Sequence, residues 1–128
     1  MFKKVMLLAA LSIVAALAVV STAAASGGGG VTKQGVCTGS STSTLKVKND
    51  NGGLEVEWEV DSNVVGQNWA WKIKDNGTVQ AKGRATTQAP SGSFEIRRIL
   101  TNQAGTDRVV ATASNPDTGE SCRAAISF

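Results

Sequence analysis

The chain has 128 residues, with no histidine, no tyrosine and only two cysteines. These counts remove most of the usual general bases, nucleophiles and zinc ligands, so any catalysis would depend on carboxylates, lysine, serine or threonine. The formal net charge is +3, and it falls to about +1 once Lys3 and Lys4 are left out. A nearly neutral chain gives no electrostatic reason to expect binding to nucleic acid or to an anionic membrane.

The first 25 residues have the organisation of a secretory signal peptide. Lys3 and Lys4 form a basic start, residues 5–20 form an apolar run, and residues 23–25 fit the A-x-A pattern of a signal-peptidase site. The apolar run has about 16 residues, whereas roughly 20 are needed to span a bilayer. We therefore predict that residues 1–25 are cleaved and that the product is secreted, in preference to a retained membrane anchor.

Cys37 and Cys122 are expected to form a disulfide, because exported proteins reach an oxidising compartment. The bond would close a loop of 85 residues. In the chain-entropy model, such a closure stabilises a domain by roughly 4–5 kcal/mol. A reactive thiol is the alternative, but no C-x-x-C motif and no histidine is present to lower a thiol pKa.

Residues 26–33 are predicted to be a flexible lead-in, because four consecutive glycines follow Ser26. Residues 34–128 then form a single domain. The polar residues 38–43 are interpreted as a link between two short edge segments.

The apolar residues that follow have a period of two, which is typical of strands with one buried face. In the first strand, residues 54–61, the inward set is Leu54, Val56, Trp58 and Val60, and the outward set is Glu55, Glu57, Glu59 and Asp61. In the next strand, Trp69, Trp71 and Ile73 point inward. Asn76-Gly77 predicts a hairpin turn, since both residues tolerate positive φ. The return strand, residues 78–84, is expected to point Val79 and Ala81 inward.

Three further strands are predicted, at residues 93–100, 107–114 and 122–128. Phe94 and Ile96 point inward in the first of them, and Arg97-Arg98 interrupts its alternation, which indicates a bulge or the end of the strand. About seven strands with short turns, and no helix outside the leader, predict an all-β antiparallel sandwich.

This layout resembles immunoglobulin-like and fibronectin type III-like domains. The resemblance covers the chain from about Gln34 onward and depends on the Trp58 strand, the Trp69/Trp71 strand and residues 104–107 before a late strand. The chain is also similar to uncharacterised small secreted proteins of high-GC Gram-positive bacteria. Both resemblances imply a sandwich, and the second implies export; neither implies an activity.

The three glutamates on the Trp58 strand are candidates for a carboxylate pair that would act in glycoside hydrolysis. Neighbours on one face lie roughly 6.5–7 Å apart along a strand, so their carboxylates approach glycosidase-like separations. The preferred interpretation is that Lys72 and Lys74 lie on a neighbouring strand and form exposed ion pairs with them. No cofactor and no metal is predicted.

Trp58, Trp69 and Trp71 share the inward parity of their strands and are predicted to belong to the core. The alternative is that Trp69 or Trp71 forms an exposed platform for sugars or apolar ligands. Arg97 and Arg98 are candidates for a basic patch, together with Arg84 and Arg108. The candidate ligand-binding residues are thus Trp69, Trp71, Arg97 and Arg98.

Export, the sandwich and the missing catalytic residues favour a non-catalytic binding or adhesion module. Its partner would be a surface protein, a glycan or a small apolar ligand. One alternative is a protein that sequesters a small ligand, since residues 96–98 and 125–128 resemble the neocarzinostatin-type apoproteins. Another is a protease inhibitor that uses residues 88–92 as a bait loop. An unusual enzyme is the least favoured hypothesis.

Overall fold

The computed structural model describes residues 29–128, so the predicted leader at residues 1–25 lies outside the described residues. Within this range the chain forms nine β-strands and no helix. The strands are β1 Val31–Gln34, β2 Val36–Cys37, β3 Thr42–Asp50, β4 Gly53–Asp61, β5 Asn68–Asp75, β6 Thr78–Thr86, β7 Ser93–Thr101, β8 Arg108–Ser114 and β9 Ser121–Ser127. No helix long and apolar enough to cross a membrane occurs between residues 29 and 128.

The strands form two antiparallel sheets that face each other across one core. The four-stranded sheet has the order β1-β3-β4-β7, and the five-stranded sheet has the order β2-β9-β8-β5-β6. The predicted all-β sandwich is therefore confirmed. The first part of the domain contains more strand than the sequence indicates. Strand β1 begins at Val31, inside the predicted lead-in, and β3 includes Thr42 and Ser43 from the predicted link.

The core consists of the inward side chains of both sheets, as the period of two predicts. Fully buried members from the four-stranded sheet are Leu45, Val47, Leu54, Val56, Trp58 and Val60, and those from the five-stranded sheet are Trp69, Ile73, Val109 and Ala111. Burying a large apolar side chain contributes roughly 1.5–3 kcal/mol, so this interior supplies most of the driving force for folding.

The neighbours of β4 differ from those that the sequence analysis predicts. Strand β4 pairs with β3 and β7 in the four-stranded sheet, while β5 lies in the opposite sheet. The expected ion pairs between the glutamates of β4 and Lys72 or Lys74 are therefore wrong. Residues 62–67 carry the chain from one sheet to the other, so two consecutive alternating strands do not pair.

Both Asn-Gly sequences form tight hairpin turns. Asn76 and Gly77 have φ values of 50° and 83°, and Asn51 and Gly52 have values of 46° and 82°. Positive φ at both central residues fits the twist of the flanking strands. The predicted hairpin at Asn76-Gly77 is confirmed.

Two local predictions are wrong: the interruption expected in β7, and the inward position expected for Val79. Strand β7 continues without a break through Arg97 and Arg98, which pair with Glu57 and Val56. The register shift occurs instead between β5 and β6, at Ile73 and Lys74. It places Val79 opposite Lys74, so Val79 is 42% exposed and does not reach the core.

The predicted disulfide is confirmed. Cys37 on β2 lies directly opposite Cys122 on β9, and the two sulfur atoms are 2.09 Å apart. The bond joins β2, the second described strand, to β9, the last one, and the two strands are neighbours in the five-stranded sheet.

Candidate functional site

The structure separates the four residues that the sequence analysis grouped as candidate ligand contacts. Trp69 lies fully inside the core, where its ring centroid is 6.3 Å from that of Phe94. Its indole N–H donates to Gln67 Oε1 at 3.2 Å. The parity-based prediction that the tryptophans are core residues is correct, and Trp69 presents no ring face to solvent.

Trp71 is also buried, but it lies at the side of the sandwich where β6 and β7 are the edge strands. The guanidinium carbon of Arg98 is 5.0 Å from the ring centroid of Trp71, which is within cation–π range. Gly83 packs on the same indole, and a Cβ at that position would lie 2.9 Å from Trp71 Cζ2. The indole N–H of Trp71 is buried and has no hydrogen-bond acceptor among the described residues.

Arg97 lies on the opposite face of β7 from Arg98. Its Nη2 donates to Glu55 Oε2 at 2.7 Å and lies 3.8 Å from Asp50 Oδ2. The hydrogen bond that Arg97 donates to Glu55, together with the negative charge of Glu55, raises the pKa of Arg97. The two arginines therefore do not share a site: Arg98 covers a core tryptophan, and Arg97 belongs to a network of ion pairs.

Glu55 is the centre of that network. Its side chain is only 3% exposed, although it points to the outer face of the sheet, and Lys48 Nζ lies 3.7 Å from its Oε1. The hydrogen bond from Arg97, with the charge of Lys48, lowers the pKa of Glu55 to about 2. The real partners of this glutamate come from β3 and β7, the strands on either side of β4.

Glu57 and Glu59, the other two glutamates on this face of β4, form an acidic cluster with Glu95 of β7. Glu57, Glu59 and Glu95 line a shallow concavity of about 150 Å³. The hydrogen bond with Glu55, burial and the charge of Glu95 all raise the pKa of Glu57. Across residues 29–128, no three His, Cys, Asp or Glu side chains are grouped in a way that could hold a metal ion.

A second carboxyl pair lies inside the sandwich, at the end where β5 turns into β6. Asp75 and Asp107 are 0% and 1% exposed, and neither oxygen of Asp75 receives a hydrogen bond from a described donor. Burial, followed by the contact with the Asp107 carboxyl, raises the pKa of Asp75 to about 6. Ionising Asp75 next to a second buried carboxyl costs desolvation and electrostatic free energy, so Asp75 keeps its proton to a higher pH than an exposed aspartate does. The sequence does not indicate this pair, because Asp75-Asn76-Gly77 has the composition of an ordinary turn.

Four loops meet at the opposite end of the sandwich, at residues 38–41, 62–67, 87–92 and 115–120. The first, second and fourth of these line a groove of about 300 Å³. Its polar wall includes Ser41 and Glu120, whose side chains are hydrogen-bonded to each other. Its apolar side is formed by Val64.

The loop at residues 62–67 is fixed by backbone contacts with the loop at residues 87–92. Thr87 accepts a hydrogen bond from Gly66 N at 2.8 Å, and its own hydroxyl donates to Val64 O at 2.5 Å. Gly92 has a φ of 79°, and a Cβ there would lie 2.4 Å from Val64 N. The two backbones thus approach so closely that only glycine fits at this position.

This anchored loop exposes two adjacent apolar side chains. Val64 and Val65 are 49% and 55% exposed. In the sequence, their only signal is that two neighbouring valines lie in a segment with no alternation. Only the structure places Val64 in the wall of a groove, with Val65 next to it.

The bait-loop hypothesis concerns residues 88–92, which form a closed turn. Gly92 N donates to Gln88 O at 2.8 Å, and Gln88 N donates to Ser93 O at the same distance. The backbone of this segment therefore curls back on itself and is not presented as an extended strand.

In comparisons with known proteins, the chain matches no protein-family model, no curated protein sequence and no solved structure. Its function is therefore inferred from the geometry of its own surfaces.

Proposed function

We propose that this protein is a non-catalytic binding module that acts outside the cytoplasm. The observation that carries the proposal is the anchored apolar tip formed by Val64 and Val65 beside the groove between the loops. An exposed apolar pair costs free energy in water, and a tip that is already fixed loses little entropy when it binds. A polar groove with an apolar rim suits a glycan or a segment of a surface protein.

The order of the strands supports assigning the sandwich to the immunoglobulin-like class. Strands β3 to β9 are seven consecutive strands divided as β3-β4-β7 and β9-β8-β5-β6. Lettered from β3, these are A-B-E and G-F-C-C′. They agree with the immunoglobulin fold, which places A, B and E in one sheet and C, F and G, with C′ where present, in the other. Domains of this class often bind through loops at one end of the sandwich, although the analogy concerns the fold and not a ligand.

The absence of catalysis is proposed from the chemistry of the available groups. The sequence has no histidine, and both cysteines are used in the disulfide. Glu55, whose pKa is lowered to about 2, is already paired with Arg97 and Lys48. Export is proposed from residues 1–25, and the disulfide is compatible with it.

The proposal is tested with the purified protein and intact cells of the source organism. Binding of the fluorescently labelled protein is measured against concentration for the parent and for a Val64→Ser/Val65→Ser variant. We expect saturable binding by the parent and at least a tenfold weaker affinity for the variant, because it lacks the apolar contact.

The matched control is Ile99→Ser, which changes an apolar side chain of similar exposure (53%) near the end of β7 that lies away from the four loops. This control should bind like the parent, and all three proteins should unfold at similar temperatures. Parent protein that does not bind cells saturably would contradict the proposed function. Equal losses in the loop variant and the control would contradict the proposed site.

A second candidate function, sequestration of a small apolar ligand, is favoured by the environment of Trp71. Arg98 covers this indole, and the buried N–H lacks an acceptor. An aromatic ligand with an acceptor group that displaced the Arg98 side chain would stack on the indole and accept a hydrogen bond from its N–H. The protease-inhibitor hypothesis has no comparable support and stays a prediction.

Tryptophan fluorescence distinguishes this candidate from the first. In the parent we expect blue-shifted emission that iodide does not quench, since all three indoles are buried. If Arg98 covers a ligand site, Arg98→Ala makes part of the emission quenchable and increases binding of an anilinonaphthalene dye. Unchanged quenching and dye binding in this variant would remove the candidate.

A further inference from the structure

The two outer faces of the sandwich carry different charge. Six cationic side chains lie on strands of the five-stranded sheet with their side chains outside the core: Lys72, Lys74, Lys82, Arg84, Arg108 and Arg123. No outward position of these five described strands holds a carboxylate, because Asp75 points into the core. All the ion pairs among residues 29–128 lie on the four-stranded sheet, so these six cations have no carboxylate partner there.

The register places several of these cations in one row. Arg123 lies opposite Thr112, Thr112 lies opposite Lys72, and Lys72 lies opposite Lys82. Strands are about 4.8 Å apart, so the row spans roughly 15 Å across four strands. Lys72 and Lys82 form a directly opposed pair of like charges, which is unfavourable unless an anion lies over them.

One end of the row opens into a depression of about 290 Å³. Lys33, Arg108 and Arg123 line it together with Gln34 and Ser127, and no carboxylate is among its lining residues. Three cations, an amide and a hydroxyl around one concavity form a set of donors that complements a phosphate, sulfate or carboxylate group.

We propose that the outer face of the five-stranded sheet binds a linear anionic polysaccharide, with one anionic group seated in the depression between Lys33, Arg108 and Arg123. A polymer with repeated charges matches a flat sheet on which cations recur from strand to strand. No aromatic side chain lies on this face to stack on nucleic-acid bases. The exposed apolar side chains on these strands are only Val36 and Val79, so a membrane would gain little from insertion.

The choice of a polysaccharide as the ligand rests on the proposed function outside the cytoplasm. The inference that this face binds an anionic polymer rests only on the positions of its charges. The surface is also separate from the loop groove, because it lies on a sheet face and the groove lies at the end of the sandwich. Failure of one proposal therefore leaves the other standing, provided that each surface is altered alone.

The test uses the purified protein and heparin as a linear anionic polysaccharide, with neutral dextran as the reference polymer. Affinity is measured by titration calorimetry from about 50 mM to about 200 mM salt, where electrostatic binding weakens steeply. The test variant is Lys72→Gln/Arg123→Gln. The control, Lys46→Gln/Lys48→Gln, removes the same charge from the other sheet.

We expect salt-dependent binding of heparin and none of dextran. The test variant should bind heparin at least tenfold more weakly than the parent, and the control should stay within about twofold. The Val64→Ser/Val65→Ser variant should bind heparin like the parent, which separates this proposal from the loop site. Similar losses in test variant and control would overturn the proposal, since binding would then follow net charge alone. Tighter binding to phosphatidylglycerol vesicles or to single-stranded DNA than to heparin would overturn it as well.

Discussion

Asp75 is a carboxyl group enclosed by the core, and its titration couples to folding. The folded protein keeps the proton of Asp75 up to a pKa of about 6, whereas the ordinary value is 3.8. Between these values the folded state binds more protons than the unfolded state, so the free energy of unfolding falls as the pH rises from about 4 to about 6. The destabilisation that results from ionising the buried Asp75 is fully present at neutral pH.

Asp75→Asn should remove this pH dependence, because an amide carries no charge and can donate to the Asp107 carboxyl. At pH 7 we expect the variant to melt roughly 4–8 °C higher than the parent, which corresponds to about 1 kcal/mol in a domain of this size. Below about pH 4 the two proteins should melt alike. Thermal unfolding followed by circular dichroism measures the difference, with Asp117→Asn in an exposed turn as the control. A variant that is less stable than the parent at pH 7 would contradict the destabilisation attributed to the ionised Asp75.

The titration of Glu55 changes the free energy of unfolding with pH in the direction opposite to that of Asp75. Its pKa is about 2 in the folded protein against an ordinary value of 4.5, so its stabilising effect is present above pH 4.5 and is lost as the pH falls toward 2. Glu55→Gln should lower the melting temperature by several degrees at pH 7 and reduce the loss of stability in acid. Glu59→Gln, at an exposed position of the same strand, should melt like the parent. If both variants behave alike, the ion pair with Arg97 contributes nothing to stability.

At the scale of the elements, β7 is a nine-residue edge strand of the four-stranded sheet. Unpaired edge strands invite pairing with a second chain, and a charged residue that points inward at an edge opposes it. Arg98 has this position: it shares the inward parity of Ile96 and Leu100, yet its side chain is exposed.

Arg98→Leu should therefore promote self-association through β7. We expect the mass measured by light scattering to rise with concentration more steeply in this variant than in the parent. Arg98→Lys keeps the charge and should behave like the parent. A variant that associates no more than the parent would show that β7 is protected in another way.

At the scale of the whole molecule, the disulfide links β2 to β9 and thereby closes a loop of 85 residues. Replacing both cysteines by serine should lower the free energy of unfolding by roughly 2–5 kcal/mol, a large part of the 5–15 kcal/mol typical of a domain. Guanidinium unfolding of the parent and the Cys37→Ser/Cys122→Ser variant measures this loss, and reduction of the parent should reproduce it. A loss below about 1 kcal/mol would mean that the bond does not constrain the unfolded chain as expected.

The sequence alone predicted the features that depend on local chemistry. The period of two in residues 54–60 and 69–73 indicated the strands and their inward tryptophans, since alternate side chains of a strand must share a face. The dipeptide at Asn76-Gly77 indicated a hairpin because few residues adopt positive φ. The two cysteines allowed only one pairing.

Only the tertiary structure decided which strands are neighbours, and the functional surfaces depend on that. The pairing of β4 with β3 and β7 places Glu55 beside Lys48 and Arg97, and the crossover at residues 62–67 takes Lys72 to the opposite sheet. The outer face of the five-stranded sheet is therefore basic although the net charge is near zero, because a total charge carries no information about where each charge lies. In the same way, burial turned Asp75 from an apparent turn residue into half of a carboxyl pair, since desolvation depends on contacts between segments that are distant in the sequence.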